Sequence, residues 1–145
     1  KDYPLPRTSV AFDKYKVLYT YAWGGMDGKC LGGSYSNIII AEPFEICTET
    51  YQEQGAYSTK DEARKHAKYI QTRFARALLY MNKHSRHSTT AWGAVPVQSF
   101  TEPWWDQSIA DIDRRLMEKY NIPSSIQKFV FENIQERGEN NIINL

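Results

Sequence analysis

At 145 residues, 41% hydrophobic and 14% aromatic, the chain is long enough to enclose one core and too short for two ordinary domains. Its net charge of +1 hides a segregation: Lys60 to His87 holds eight Lys and Arg against two acids, so that stretch carries +6 and the rest −5. Such a pattern marks either a surface for a polyanion or a solvated helix face, while two cysteines without ligand spacing, no signal-peptide pattern and no apolar run of membrane length argue against a disulfide scaffold and a membrane span and predict a cytoplasmic protein.

Residues 1–13, with Pro4, Pro6 and Arg7 ahead of Val10, Ala11 and Phe12, read as a linker, and the opening at Lys1 without an initiator Met predicts a piece excised from a longer protein. Tyr15 to Trp23 is rich in β-branched and aromatic residues and stops at Gly24-Gly25, which predicts a central strand. Gly24 to Ser36 holds five of the eight glycines and can approach a ligand closely, but it lacks the Gly-Lys-Ser/Thr ending of a phosphate-binding P-loop. Asn37 to Ala41 predicts a short buried strand, broken at Glu42-Pro43 and resumed over Phe44 to Tyr51, after which Gln52 to Tyr57 leads into a helix.

That helix, Ser58 to His87, organises the chain. Ser58 and Thr59 are both N-cap residues with Asp61 and Glu62 three positions on, a capping-box pattern with first-turn acids suited to the helix dipole. Ala63, Ala67, Ile70, Phe74, Ala77, Leu78 and Met81 form one apolar stripe, with Phe74 at its centre and bound for the core. Arg64, Lys65, Lys68, Arg76 and Lys83 fall opposite, on an expected outer face, and Lys83, His84, Arg86 and His87 carry the charge into the next loop; Leu79 also falls on the outer side. Trp92 to Phe100 predicts a strand interrupted by Pro96; Ser108 to Tyr120 and Ser124 to Arg137 predict two closing helices, and 138–145 a frayed tail. The predicted fold is α+β: a mixed, largely antiparallel sheet packed on the 59–83 helix, with two C-terminal helices, a linker at 1–13 and the domain proper at 14–137.

Catalytic signals are sparse. His84 and His87 are three residues apart without a Cys or carboxylate beside them, no Gly-x-Ser-x-Gly elbow occurs, and the acid groups Glu42/Glu45, Glu49/Glu53 and Asp106/Asp111/Asp113 lack the Glu-x-Lys of a metal-dependent nuclease. No metal or cofactor is therefore expected in this chain.

The order of certain motifs does carry a resemblance. Thr48-Glu49-Thr50-Tyr51, STKDEA at 58–63, Tyr69-Ile70-Gln71-Thr72-Arg73-Phe74 with Arg76-Ala77-Leu78-Leu79, Val95-Pro96-Val97-Gln98-Ser99-Phe100, and Leu116 with Lys119-Tyr120 follow the order found at the C-terminal end of adenine-specific DNA methyltransferases of bacterial restriction-modification systems, including those fused to an endonuclease. The match spans roughly residues 14–134 and resembles the target recognition domain, similar in plan to the recognition domains of type I specificity subunits. The family's Asn/Asp-Pro-Pro-aromatic methyl-transfer motif and its glycine-rich S-adenosylmethionine loop are absent, so the resemblance implies that S-adenosylmethionine, and Mg if the parent protein is a nuclease, belong upstream of Lys1. It also implies double-stranded DNA and the upstream methyltransferase domain as partners. The expected phosphate contacts are Lys65, Lys68, Arg76, Lys83 and Arg86, with Lys29 and residues of 84–92, including His84 and His87, as base readers. The alternatives are a docking domain that holds its own methyltransferase or nuclease domain through the C-terminal helices, and a hidden metal-dependent nuclease built on the acid clusters.

Overall fold

The chain's computed structural model describes residues 9–20, 37–82 and 91–144. Strand β1, Tyr15–Thr20, lies centrally: it pairs antiparallel with β2, Ile38–Ala41, on one side and with β3, Tyr51–Tyr57, on the other. A fourth strand, β4, Ile142–Asn144, adds in parallel to β2, giving the order β3-β1-β2-β4. The fold is thus α+β with a mixed, largely antiparallel sheet. Two local expectations are corrected. Phe44 to Thr50 is turn and irregular backbone, and the strand begins only at Tyr51; the tail, expected to fray, instead supplies β4, whose Ile142 stands beside the fully buried Ile38.

Burial in β1 explains its position, since Val17, Leu18 and Tyr19 are all inside. Lys16 is inside too, 1% exposed, and its ammonium donates to the backbone carbonyls of Ala11, Lys14 and Glu42 at 3.1–3.3 Å. Three carbonyl partners replace the water that burial removes from the cation, and they tie the turn at residues 10–13 to the end of β2. Ala11, assigned to the linker by composition, is accordingly buried.

Opposite Lys16, β3 carries a bulge. Tyr15 pairs with Tyr57 and Val17 with Gln54, so Gly55 and Ala56 oppose a single residue of β1. Gly55 has φ +75°, and a Cβ there would lie 2.1 Å from the Tyr57 ring; the bulge needs a glycine both for its backbone and for the ring folded over it. Gly55→Ala is expected to lower stability by about 1 to 2 kcal/mol, read as a shift of the urea midpoint.

The predicted long helix is two helices. The first, α1, Lys60–Gln71, starts at the reciprocal capping box of Thr59 and Glu62 and sets Ala63, Ala67 and Ile70 into the core. It stops at Thr72, whose ψ of 151° leaves the helical region, and α2, Arg73–Asn82, starts afresh. Thr72 caps the new helix by accepting from the Ala75 N–H at 3.1 Å, while its hydroxyl donates to the Tyr69 carbonyl at 2.6 Å. The two other free N–H groups, of Arg73 and Phe74, donate at 2.9 Å each to the carboxylate of Asp113. The break resets the helical phase. Phe74 is buried as expected, but Arg76 and Leu79 also point inward and Met81, assigned to the apolar stripe, is 67% exposed.

Asp113 belongs to α3, Ile109–Lys119, which opens on Ser108 as N-cap and ends in a Schellman turn: Asn121 has φ +49°, and the Ile122 N–H donates to Met117 O at 2.9 Å. Pro123 then leads into α4, Ser124–Asn133, which is shorter than the stretch to Arg137 that periodicity predicted. The stretch 92–100, predicted as a strand, holds a 3-10 turn at Ala91–Ala94 followed by irregular extended chain. A second 3-10 turn, Pro103–Asp106, buries Trp105 completely, with its indole N–H donating to Ser99 O at 2.8 Å.

Candidate functional site

Of the cations expected on an outer face, Arg64 is exposed and pairs with Glu139 at 2.7 Å, whereas Lys65, Lys68 and Arg76 are engaged within the fold. Lys65 pairs with Asp61 at 2.7 Å, one turn back, and with Asp106 at 3.2 Å, and hydrogen bonding to Asp61 and then to Asp106 holds its ammonium above its ordinary range. Lys68 is buried; it donates to Gln107 O at 2.9 Å and to Asp106 O at 3.4 Å and pairs with Glu139 at 3.1 Å. Arg76 is 1% exposed and donates to the carbonyls of Gln71 and Gln135. The outer-face placement of Lys68 and Arg76 is therefore corrected, and Lys65 is half-buried between two carboxylates. Single-helix phasing failed because Thr72 and Asp113 restart the turn, and because acids distant in sequence, Asp106 and Glu139, fold onto α1. Lys29, Lys83, His84, Arg86 and His87 lie outside the described residues.

The residues that carry the family resemblance converge. Tyr69 donates its phenol to Pro96 O at 2.7 Å; the Gln98 side-chain amide donates to Tyr120 Oη at 2.8 Å and accepts from Lys119 Nζ at 3.0 Å. Phe74 stacks on Tyr120 with centroids 5.0 Å apart, and Lys119 lies 5.9 Å from the rings of Tyr120 and Trp104. Arg73 donates from Nε to Ile134 O at 2.9 Å, pairs with Glu136 at 3.0 Å and sits over Phe131. These motifs pin α1, α2, α3 and the 95–100 segment to one another, an architectural role that their linear order did not reveal.

Beside this joint lies a cavity of about 250 Å³ between β3, α1 and the 92–100 segment. Tyr57, Tyr69, Trp92 and Phe100 supply aromatic walls, His66 projects from α1, and the nearly fully exposed Val97 marks the rim. The His66 ring lies 5.6 Å from both the Tyr57 and the Phe100 rings. Its Nδ1 is enclosed without a hydrogen-bond partner among the described residues, and burial lowers the imidazole to about 4, so the ring is neutral at pH 7. No local sequence pattern marks His66, because its ring partners stand nine and thirty-four residues away.

Tyr19, near the end of β1, packs on Trp92 at 5.4 Å. Residues 21–36, which follow Thr20 in sequence, and 83–90, which precede Ala91, lie outside the described residues.

Six of the seven acids considered for metal chemistry, all but Glu49, have structural partners, Asp106 through Lys65. Glu42 pairs with Lys60 at 2.8 Å, Glu45 accepts the Glu42 N–H at 2.6 Å, Glu53 accepts from Ser9, Asp111 takes part in the Ser108 cap and Asp113 caps α2. Among the described residues no three His, Cys, Asp or Glu side chains stand close enough to share a metal, and no helix is long and apolar enough to cross a membrane. The chain matches no family model, curated protein or solved structure.

Proposed function

We propose that this domain reads duplex DNA as the target-recognition part of an adenine-specific DNA methyltransferase or restriction enzyme. The supporting observation is the sorting of its cations. Lys65, Lys68 and Arg76 are engaged by carboxylates and carbonyls of the same chain, whereas Lys29, Lys83 and Arg86, with His84 and His87, fall in the sequence stretches 21–36 and 83–90. A folded body whose sequence also carries a basic stretch and a glycine-rich stretch suits DNA reading, because phosphate contacts set the register and loop side chains reach the base edges. In this reading methyl transfer and S-adenosylmethionine belong to another part of the parent protein, as does Mg if the parent cuts, and the protein works in the cytoplasm.

If Lys29, Lys83 and Arg86 contact phosphates, the slope of log affinity against log salt for a duplex is expected near −3, at roughly −0.9 per phosphate contact. Fluorescence anisotropy of a labelled duplex at several salt concentrations measures it, and a slope near zero removes the proposal. A second reading, docking of the C-terminal helices on a neighbouring domain, is favoured by Ile126 and Phe129, both about half-exposed on α4. It predicts no duplex affinity for the chain alone.

A further inference from the structure

The turns at residues 9–14 and 42–46 carry a surface that neither the fold nor the DNA reading uses. We infer that this surface docks a protein segment whose aliphatic or aromatic anchors are flanked by Lys and Arg. The inference goes beyond the DNA reading and does not rest on it.

The two turns form one unit. The Phe44 N–H donates to Phe12 O at 2.7 Å, the Phe12 and Phe44 rings meet edge to face at 5.5 Å, and the Lys16 ammonium donates to Ala11 O on one side and Glu42 O on the other. Phe44 is nonetheless held at φ +70°, in the left-handed region that bulky side chains avoid, and it is 68% exposed. Glycine or asparagine would close the same turn with less strain. A strained backbone that presents an aromatic ring to solvent costs stability twice, a combination that points to recognition more than to folding. Val10 and Ile46, each two residues from that ring pair, are exposed as well, so the two turns hold three of the eight large apolar side chains exposed among the described residues.

Charge gives the chemistry of the partner. Asp13, Glu42 and Glu45 lie in the turns, Glu53 accepts from Ser9 of the first turn, and Glu49 follows three residues after Ile46. Against these five stand Lys14, beside Asp13, and Lys60 of α1, paired with Glu42 at 2.8 Å, which leaves an excess of three negative charges, or two when the buried Lys16 is counted. Such a rim attracts Lys and Arg and disfavours like charge. It repels phosphate, which separates it from duplex DNA, and a second copy of the chain would set the same acids against one another. The turn is also fixed in advance: the Glu45 N–H donates to Glu42 O at 3.3 Å and the Glu42 N–H to the Glu45 carboxylate at 2.6 Å, so little ordering is left for the moment of docking.

The test is titration of the whole chain with three synthetic peptides, followed by two-dimensional NMR of the Phe12, Phe44 and Ile46 amides. One peptide alternates Leu and Phe with Lys, the second has Glu for every Lys, and the third has Ser for every Leu and Phe. The first is expected to shift all three amides saturably, with a dissociation constant on the order of 0.1 mM, and the other two to bind at least about tenfold more weakly. Phe44→Asn should weaken the first peptide about tenfold while leaving the urea midpoint unchanged or raised, because asparagine tolerates the left-handed backbone. No saturable shift, equal binding of the Glu or Ser peptide, or undiminished binding in Phe44→Asn overturns the proposal. A lowered urea midpoint in that variant also overturns it, by assigning the ring to the fold, and so does concentration-dependent self-association in sedimentation that Phe44→Asn removes, by assigning the surface to a second copy.

Discussion

Replacing Asp113 by alanine is expected to destabilise the domain by about 2 kcal/mol at pH 7, and by about 2 kcal/mol more at pH 4.5. Its carboxylate accepts the Arg73 and Phe74 N–H groups that open α2, both at 2.9 Å. Alanine leaves two donors at a largely buried helix start without an acceptor, each costing about 1 to 3 kcal/mol. Burial of the carboxylate offsets part of that loss, and against the two backbone donors and the charges of Arg73 and Arg76 it pushes the carboxyl up to about 6 from 3.8. The sign of the pH effect follows. Between those values the folded protein holds a proton that the unfolded chain has released, so this group's stabilisation is full below pH 3.8 and is lost as pH rises through about 6. His66, lowered by burial to about 4 from 6.5, acts oppositely: its contribution is present above pH 6.5 and is lost as pH falls through about 4. The parent protein therefore shows a muted profile, and the Asp113 slope emerges only in the difference between parent and variant, measured by urea unfolding at both pH values.

Arg76→Gln is expected to cost about 3 kcal/mol, against the roughly 0.5 kcal/mol or less of an ordinary surface substitution. The side chain is 1% exposed and its guanidinium donates to Gln71 O and Gln135 O, joining the end of α1 to the chain that follows α4. Glutamine is shorter and brings one N–H₂ group in place of the guanidinium fork, so at least one buried carbonyl loses a charge-assisted bond. The Asp113 carboxylate also loses a neighbouring cation. Chemical denaturation measures the loss, and a cost below about 0.5 kcal/mol would mean that Arg76 faces solvent, as unbroken helical phasing predicts.

That contrast shows what the sequence made legible. Features encoded within three or four residues were readable: the Thr59 and Glu62 capping box, the Ala63, Ala67 and Ile70 face, the Ser108 cap and the central place of Tyr15–Thr20. The break at Thr72 was not, because threonine inside a helical pattern becomes a cap only when a second acceptor arrives for the next N–H groups, and Asp113 comes from forty residues away. One restart rotated Arg76 and Leu79 inward and Met81 outward. β4 was hidden for a similar reason: three residues in an Asn-rich tail have no strand signature until β2 offers an unpaired edge. At the candidate site the basic stretch was visible as composition, but the pairing of Lys65 and Lys68 was set by Asp106 and Glu139, which sequence proximity does not connect to α1. The cavity needed the Gly55 bulge and four separated aromatic residues, none informative alone.

The proposal that Lys83 and Arg86 contact DNA is tested most directly by the salt dependence of duplex binding in Lys83→Gln/Arg86→Gln. Anisotropy titrations of parent and variant at matched salt concentrations, with circular dichroism confirming equal folding, are expected to show the slope of log affinity against log salt flattened by about 2, alike for unrelated and preferred sequences. An unchanged slope and affinity in the double variant would contradict the claim.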